Sequence, residues 1–168
     1  RDTSVTGVQT CALPICWQSQ GVPSLSDRVV LYHTGIIKPS LREVTVTSAL
    51  LIIDVQTILC EGRWAVHEAG AVVQRINAVS ARARAAGLPV VVVQHEETEG
   101  PMLYDAPGWQ LAPALQVSAT DLRLRKTGSD AFHQTDLQAL LQARGVDRLI
   151  VCGMQTDFCV DSTVRRAL

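Results

Sequence analysis

Two apolar runs and the amphipathic segment between them predict an α/β fold with a mostly parallel sheet. "ALLII" (Ala49–Ile53) and "VVVV" (Val90–Val93) are continuously apolar and bounded by polar residues. That is the pattern of strands covered on both faces, as in a parallel sheet. Between them, apolar residues recur at spacings of three and four, the period of a helix that crosses from one parallel strand to the next.

Taken in order, "VTVTSALLIIDV" from Val44 reads as the first strand. A helix follows over about residues 66–86, with Val72, Val73, Ile76, Val79, Ser80 and Ala83 on one stripe. Gln74, Arg75, Arg82 and Arg84 lie mostly off that stripe; Gly87 and Pro89 end the helix. "LPVVVVQ" is the second strand. A long polar segment comes next, and its Tyr104 and Trp109 argue for packing rather than disorder. "LRLRK" is a short third strand. Thr135-Asp136-Leu137-Gln138 reads as a capping box in which the Thr hydroxyl takes the Gln138 N–H. Leu137, Leu140 and Leu141 give that helix its apolar stripe, and Gly145 ends it. "RLIVCG" is a fourth strand, and a last helix opens near Phe158.

The first 43 residues do not share this patterning. They hold no charged region followed by an apolar one, so they are not a signal peptide. "VTGVQTCALPI" resembles translated sequencing-adapter sequence, which leaves Cys11 without a role. Residues 1–43 are therefore expected to be a non-native or disordered extension. Residues 44–168 are expected to form one domain, incomplete at its C-terminal end because the chain stops inside a predicted helix.

A net charge of −1 gives no basic face for nucleic acid, and no apolar run reaches membrane-spanning length. Five cysteines, an odd number without a C-x-x-C pair or a secretory signal, favour free thiols and a reducing, cytoplasmic setting. The four histidines are scattered, without H-x-x-x-H or H-E-x-x-H, so no metal is expected.

Three polar residues stand at strand ends that a parallel sheet places on one edge. Asp54 closes "LLIID", Lys126 closes "LRLRK", and Cys159 follows "LIVCG" after a short turn. A thiol at a helix start is expected to be drawn toward thiolate. Asp54 could accept its proton, and Lys126 could stabilise the thiolate and hold Asp54 ionised. Backbone N–H groups at the helix start could receive an oxyanion. Each residue also has an ordinary reading: Cys159 as a buried thiol, Asp54 as a cap, Lys126 as a solvated strand end.

"ALLIIDVQ", "RKTGSDAFHQTDL" and "GMQTDFCVDSTV", in this order and spacing, resemble the isochorismatase-like cysteine hydrolase superfamily over about residues 46–168. The resemblance implies a three-layer α/β/α fold with a six-stranded, Rossmann-like parallel sheet. It implies a catalytic triad of Asp54, Lys126 and Cys159. It also implies a cis Met154–Gln155 peptide and an oxyanion hole made by the N–H groups of Gln155 and Cys159. A small-molecule substrate, no cofactor and a homo-oligomer are expected.

Nicotinamidases in that superfamily carry a D-x-H metal motif soon after the Asp strand, which "VQTILCEGRWAVHEAG" lacks. Isochorismate would need cations for two carboxylates, and Arg63, Arg123 and Arg125 are the candidates; alternation aims the last two at one sheet face. "VVQHE", "PGWQLAP" and "KTGSDAFHQTDL" are more similar to metal-independent members that act on amide C–N bonds. Gln94, His95, Trp109, Phe132 and Phe158 are the pocket candidates. The leading expectation is an amidase-like cysteine hydrolase. The alternatives are an isochorismatase-type vinyl ether hydrolase, a nicotinamidase, or a non-catalytic partner-binding scaffold. A dinucleotide-binding domain is disfavoured, since neither G-x-G-x-x-G nor a P-loop occurs.

Overall fold

Strand β2 (Ser48–Ile53) runs through the middle of the sheet, with its last five residues buried. In the computed structural model, residues 15–17, as backbone, and 47–168 are described. The elements after β2 are a short helix α1 (Thr57–Cys60) with a 3-10 turn at Gly62–Trp64, then α2 (Ala69–Ala85), β3 (Val90–His95) and β4 (Leu122–Lys126). Helix α3 (Leu137–Gln142), β5 (Arg148–Gly153), a π-helical turn (Thr156–Val160) and α4 (Asp161–Ala167) complete the domain. β1 (Ile15–Trp17) precedes them all.

The strand order is β1-β5-β2-β3-β4. β5, β2, β3 and β4 are parallel, with Leu51 level with Val91 on one side and Val151 on the other. β1 is antiparallel on the outer edge of β5, Ile15 opposite Val151. This short pairing was not foreseen. The rest of the expected 1–43 extension falls outside the described residues. Against the six parallel strands that the resemblance implies, the described residues supply four and the antiparallel β1.

Two core clusters cover the two sheet faces. Leu50, Ile52, Val90 and Val92 meet Val72, Val73, Ile76 and Ala83 of α2. Leu51, Ile53, Val91 and Val93 meet Leu137 and Leu141 of α3, Val164 of α4 and Val160 just before it. The alternation along each strand divides its residues between the clusters. The result is helix, sheet, helix, as the sequence predicts.

Helix α2 buries the predicted stripe, Val79 only in part. It begins at Ala69 rather than near Val66, because residues 65–68 bridge from α1 through the Val66 N–H to the Leu59 carbonyl, 2.9 Å. At its end Leu88 N–H reaches the Ala83 carbonyl and Gly87 N–H the Arg84 carbonyl, both at 2.9 Å, with Gly87 at φ 70°. That closure requires a left-handed residue, which glycine supplies without a Cβ penalty.

The capping box at Thr135 does not form as expected. α3 starts only at Leu137, so Thr135 Oγ1 accepts the Leu137 N–H at 3.3 Å and donates to the Ala131 carbonyl at 2.6 Å. The hydroxyl closes the loop before the helix instead of capping a turn that begins later. Among the described residues no helix is long and apolar enough to cross a membrane.

Candidate active site

β2 has β3 on one side and β5 on the other, so the connections leaving the sheet centre diverge between β2 and β5. In open α/β sheets, the carboxyl ends of the strands at such a switch point form a ligand crevice. Asp54 follows β2, Lys126 ends β4 and Cys159 follows β5, and all three come to that edge.

Asp54 is 2% exposed. Its backbone sits in the left-handed region at φ 54°, which short polar side chains tolerate better than most. Its N–H still bonds the Val93 carbonyl at 3.0 Å, so the chain leaves the sheet in one residue and turns the carboxylate inward. Oδ2 receives Lys126 Nζ at 2.8 Å. Lys126, also 2% exposed, donates to the Gly128 carbonyl at 3.1 Å and lies 3.4 Å from His95 Nδ1. Asp54 Oδ1 is buried and makes no hydrogen bond to any described residue. The half-buried Cys159 thiol is close enough to Asp54 and Lys126 for both to act on it.

The electrostatics correct one expectation. Burial, and then the Asp54 charge, push the Cys159 thiol up to about 11, and Lys126 offsets only part of this. Cys159 also sits inside the π turn rather than in the first turn of a long α-helix, and α4 beyond it is short. The resting group is a thiol. Burial raises Asp54 as well, against the pull of Lys126. Burial and the Lys126 charge lower His95, which is neutral at neutral pH. Cys60, at about 11, and Cys152, at about 12, are raised by burial.

The turn from β5 to Cys159 depends on Gly153, at φ 141°. A Cβ there would overlap the Ile53 carbonyl and lie 2.6 Å from the Ile53 nitrogen. The next residue donates its N–H to that carbonyl at 2.8 Å, and the Met154–Gln155 peptide is cis. Thr163, fully buried on α4, accepts the Ala131 N–H at 3.0 Å and ties the Cys159 helix to the loop after Lys126.

The pocket candidates part company. His95 stands beside Lys126, and Phe158 is 60% exposed next to Cys159. Gln94 points to the opposite sheet face, where it donates to the Trp109 carbonyl at 3.0 Å and accepts from Arg123. Trp109 is buried edge-on to Tyr104, ring centres 4.9 Å apart, its Nε1 without a hydrogen-bond partner among the described residues. Phe132 lines a cavity of about 150 Å³ with Leu141, Val146 and Val164, away from the triad residues. The sequence reading missed Gln56, Gly128 and Thr163. A glutamine three residues after an apolar strand, and two after Asp54, was the one available signal for Gln56. Among the described residues, no three His, Cys, Asp or Glu side chains are grouped to hold a metal ion.

The family model described as Isochorismatase domain matches residues 48–168. The chain belongs to the isochorismatase family. This isochorismatase-family chain is 43% identical over 123 residues to a streptothricin hydrolase of Streptomyces noursei, covering 71% of this chain and 44% of that protein. It is 34% identical over 137 residues to the uncharacterized isochorismatase family protein YecD of Escherichia coli O157:H7, covering 72% of each. The crystal structure of N-carbamoylsarcosine amidase from Thermoplasma acidophilum superposes with a TM-score of 0.68 at 29% identity, over 73% of this chain and 76% of that one. The chain spans about half the length of the streptothricin hydrolases it matches, 44% of one and 52% of the other.

Proposed function

We propose that the protein is a cysteine hydrolase that cleaves an amide-type C–N bond in a small molecule. The observation that carries this reading is the buried Asp54–Lys126 ion pair, 2.8 Å, with the Cys159 thiol close enough for both charges to act on it. A buried carboxylate beside a thiol is placed to take the thiol's proton. Similarity to a streptothricin hydrolase and to an N-carbamoylsarcosine amidase supports the reaction class.

In the proposed reaction Cys159 Sγ attacks the substrate carbonyl carbon as its proton passes to Asp54 Oδ1. The carbonyl π pair moves onto oxygen, and the backbone N–H groups of Gln155 and Cys159 receive that charge. Collapse of the tetrahedral adduct breaks the C–N bond, and the departing amine takes the proton from Asp54. Water then attacks the thioester, giving its proton to Asp54. The acid leaves, and Asp54 returns the proton to Cys159. Negative charge thus moves from Asp54 to the oxyanion and back, and Lys126, fixed by the ion pair, holds the carboxylate ready for each return. His95 and Phe158 are the proposed pocket residues nearest to this chemistry.

The vinyl ether reading is less well supported. Two of its three proposed cations lie on the other sheet face: Arg123 is held by Gln94, and Arg125 sits 3.5 Å from Glu96 and over the Tyr104 ring. The test is a panel of carboxamides, ureides and isochorismate offered to the protein and to Cys159→Ala. Hydrolysis of an amide or ureide, with a thioester on Cys159 trapped by rapid acid quench and mass spectrometry, is the expected result. Undiminished hydrolysis by a folded Cys159→Ala protein would overturn it.

A further inference from the structure

Gln56 stands just beyond Asp54 and is fully buried. Its side-chain amide bonds three backbone groups far away in sequence. Oε1 accepts the His95 N–H at 2.9 Å, and Nε2 donates to the His95 and Trp109 carbonyls, each at 2.9 Å. The two bonds to His95 reproduce the contacts a neighbouring peptide makes in a sheet, at the point where β2 has already ended. The third pins the β3–β4 loop, whose Trp109 carbonyl also takes the Gln94 amide at 3.0 Å.

The same residue holds the turn that carries the carboxylate. Gln56 N–H donates to the Asp54 carbonyl at 2.9 Å, while Asp54 N–H remains bonded to Val93. Asp54 is therefore fastened on both sides at a left-handed backbone angle, φ 54°. Through His95, whose Nδ1 faces Lys126 Nζ, the clamp also sets one wall of the ammonium's surroundings.

The geometry points to Gln56 as a positioning residue, an amide clamp that holds Asp54 Oδ1 in line with the Cys159 thiol. This rests on the reading of Asp54 as base and Cys159 as nucleophile. A carboxylate takes a proton efficiently only within hydrogen-bond reach, and a small displacement of the reacting groups lowers rates steeply. Gln56 touches neither the thiol nor the substrate in the proposed reaction. Its effect is confined to the steps in which Asp54 takes or returns a proton.

The test uses iodoacetamide and site-resolved mass spectrometry on the full chain from pH 5 to 11. The wild-type Cys159 rate is expected to have an Asp54-assisted component at neutral pH, absent from Asp54→Asn, and a thiolate limb at alkaline pH. Gln56→Met keeps the length and loses all three bonds. Gln56→Glu keeps the acceptor for the His95 N–H and loses both donors, and it serves if the first variant fails to fold. Either folded variant should lose the assisted component at least tenfold while the thiolate limb stays within twofold. An unchanged profile, or an equal fall in both limbs, would show a merely structural glutamine and overturn the inference. A wild type without any Asp54-dependent component is a separate result, visible before any Gln56 variant is made. It refutes the base assignment and removes the inference with it.

Discussion

Lys126 Nζ is held inside the protein by Asp54 Oδ2 and the Gly128 carbonyl, with His95 Nδ1 at 3.4 Å. An ammonium so committed acts on the thiol as a fixed charge. Lys126→Met should therefore push the Cys159 thiol further above about 11, since Lys126 is what lowers it, and move the acid limb of turnover upward. That limb should already lie above the ordinary carboxylate range of about 4, because burial raises Asp54. Groups that act as one unit lose activity non-additively, so the double variant with Asp54→Asn should be scarcely slower than the worse single one. Turnover against pH for the three variants checks this; an unchanged profile in Lys126→Met would return Lys126 to a purely structural part. Iodoacetamide at neutral pH should label Cys159 ahead of Cys60, although burial raises both thiols to about 11. The difference is Asp54, paired with Lys126 and proposed as the base for Cys159, whereas Glu61 only raises the Cys60 thiol further; equal labelling would show that Asp54 does not act as a base. Gly153→Ala forces a Cβ into the Ile53 backbone. The cost should be about 3 kcal/mol, seen as a fall of about 10 °C in Tm.

Helix α2 is fastened at its C-terminal end by a side-chain bridge as well as by its cap. Arg84 Nε and Nη2 grip the two Asp121 oxygens at 2.9 and 2.6 Å, with Asp121 fully shielded from solvent at its side chain. Burial alone would raise Asp121, but the Arg84 bonds, the Ser118 N–H and the nearby positive charge bring it below its usual value. The folded carboxyl thus binds protons less readily than the unfolded one. Its contribution to stability is full above the unfolded value, about 4, and is lost as pH falls through the folded value. Arg84→Met should cost about 2–3 kcal/mol at pH 7, because it strands a buried carboxylate. The penalty should shrink toward pH 3, where Asp121 can protonate. Urea unfolding at the two pH values measures it; a pH-independent penalty would assign the loss to packing of the arginine stem.

The sheet as a whole carries the site by its order rather than by any single loop. β2, β4 and β5 each deliver one residue to the same edge, and the core clusters that hold these strands run from Ala49 to Val164 among the described residues. Removal of residues 1–43 is therefore expected to leave the fold intact and to lower Tm by no more than a few degrees, the backbone pairing of β1 with β5 being short. Thermal unfolding of the shortened chain decides this. A loss beyond about 10 °C, several kcal/mol for a domain of this size, would make the segment part of the native fold.

The parallel strands, the α2 stripe and the convergence of Asp54, Lys126 and Cys159 were legible in the sequence, because each follows from local periodicity and from a rule about strand ends. Burial patterns of period two and 3.6 are properties of neighbouring residues, and the sequence displays them directly. The protonation state of Cys159 was not legible. It depends on how deeply the thiol and Asp54 are buried together, and the sum of burial and charge outweighed the helix-start effect. Nor could the sequence separate His95, which faces Lys126, from Gln94, its neighbour on the other face of the same strand, until the register of β3 against β4 was known. The same holds for Gln56, whose partners His95 and Trp109 lie 39 and 53 residues away. Contacts of that span are chosen by the packed tertiary structure, where a buried amide must find partners wherever the fold brings them.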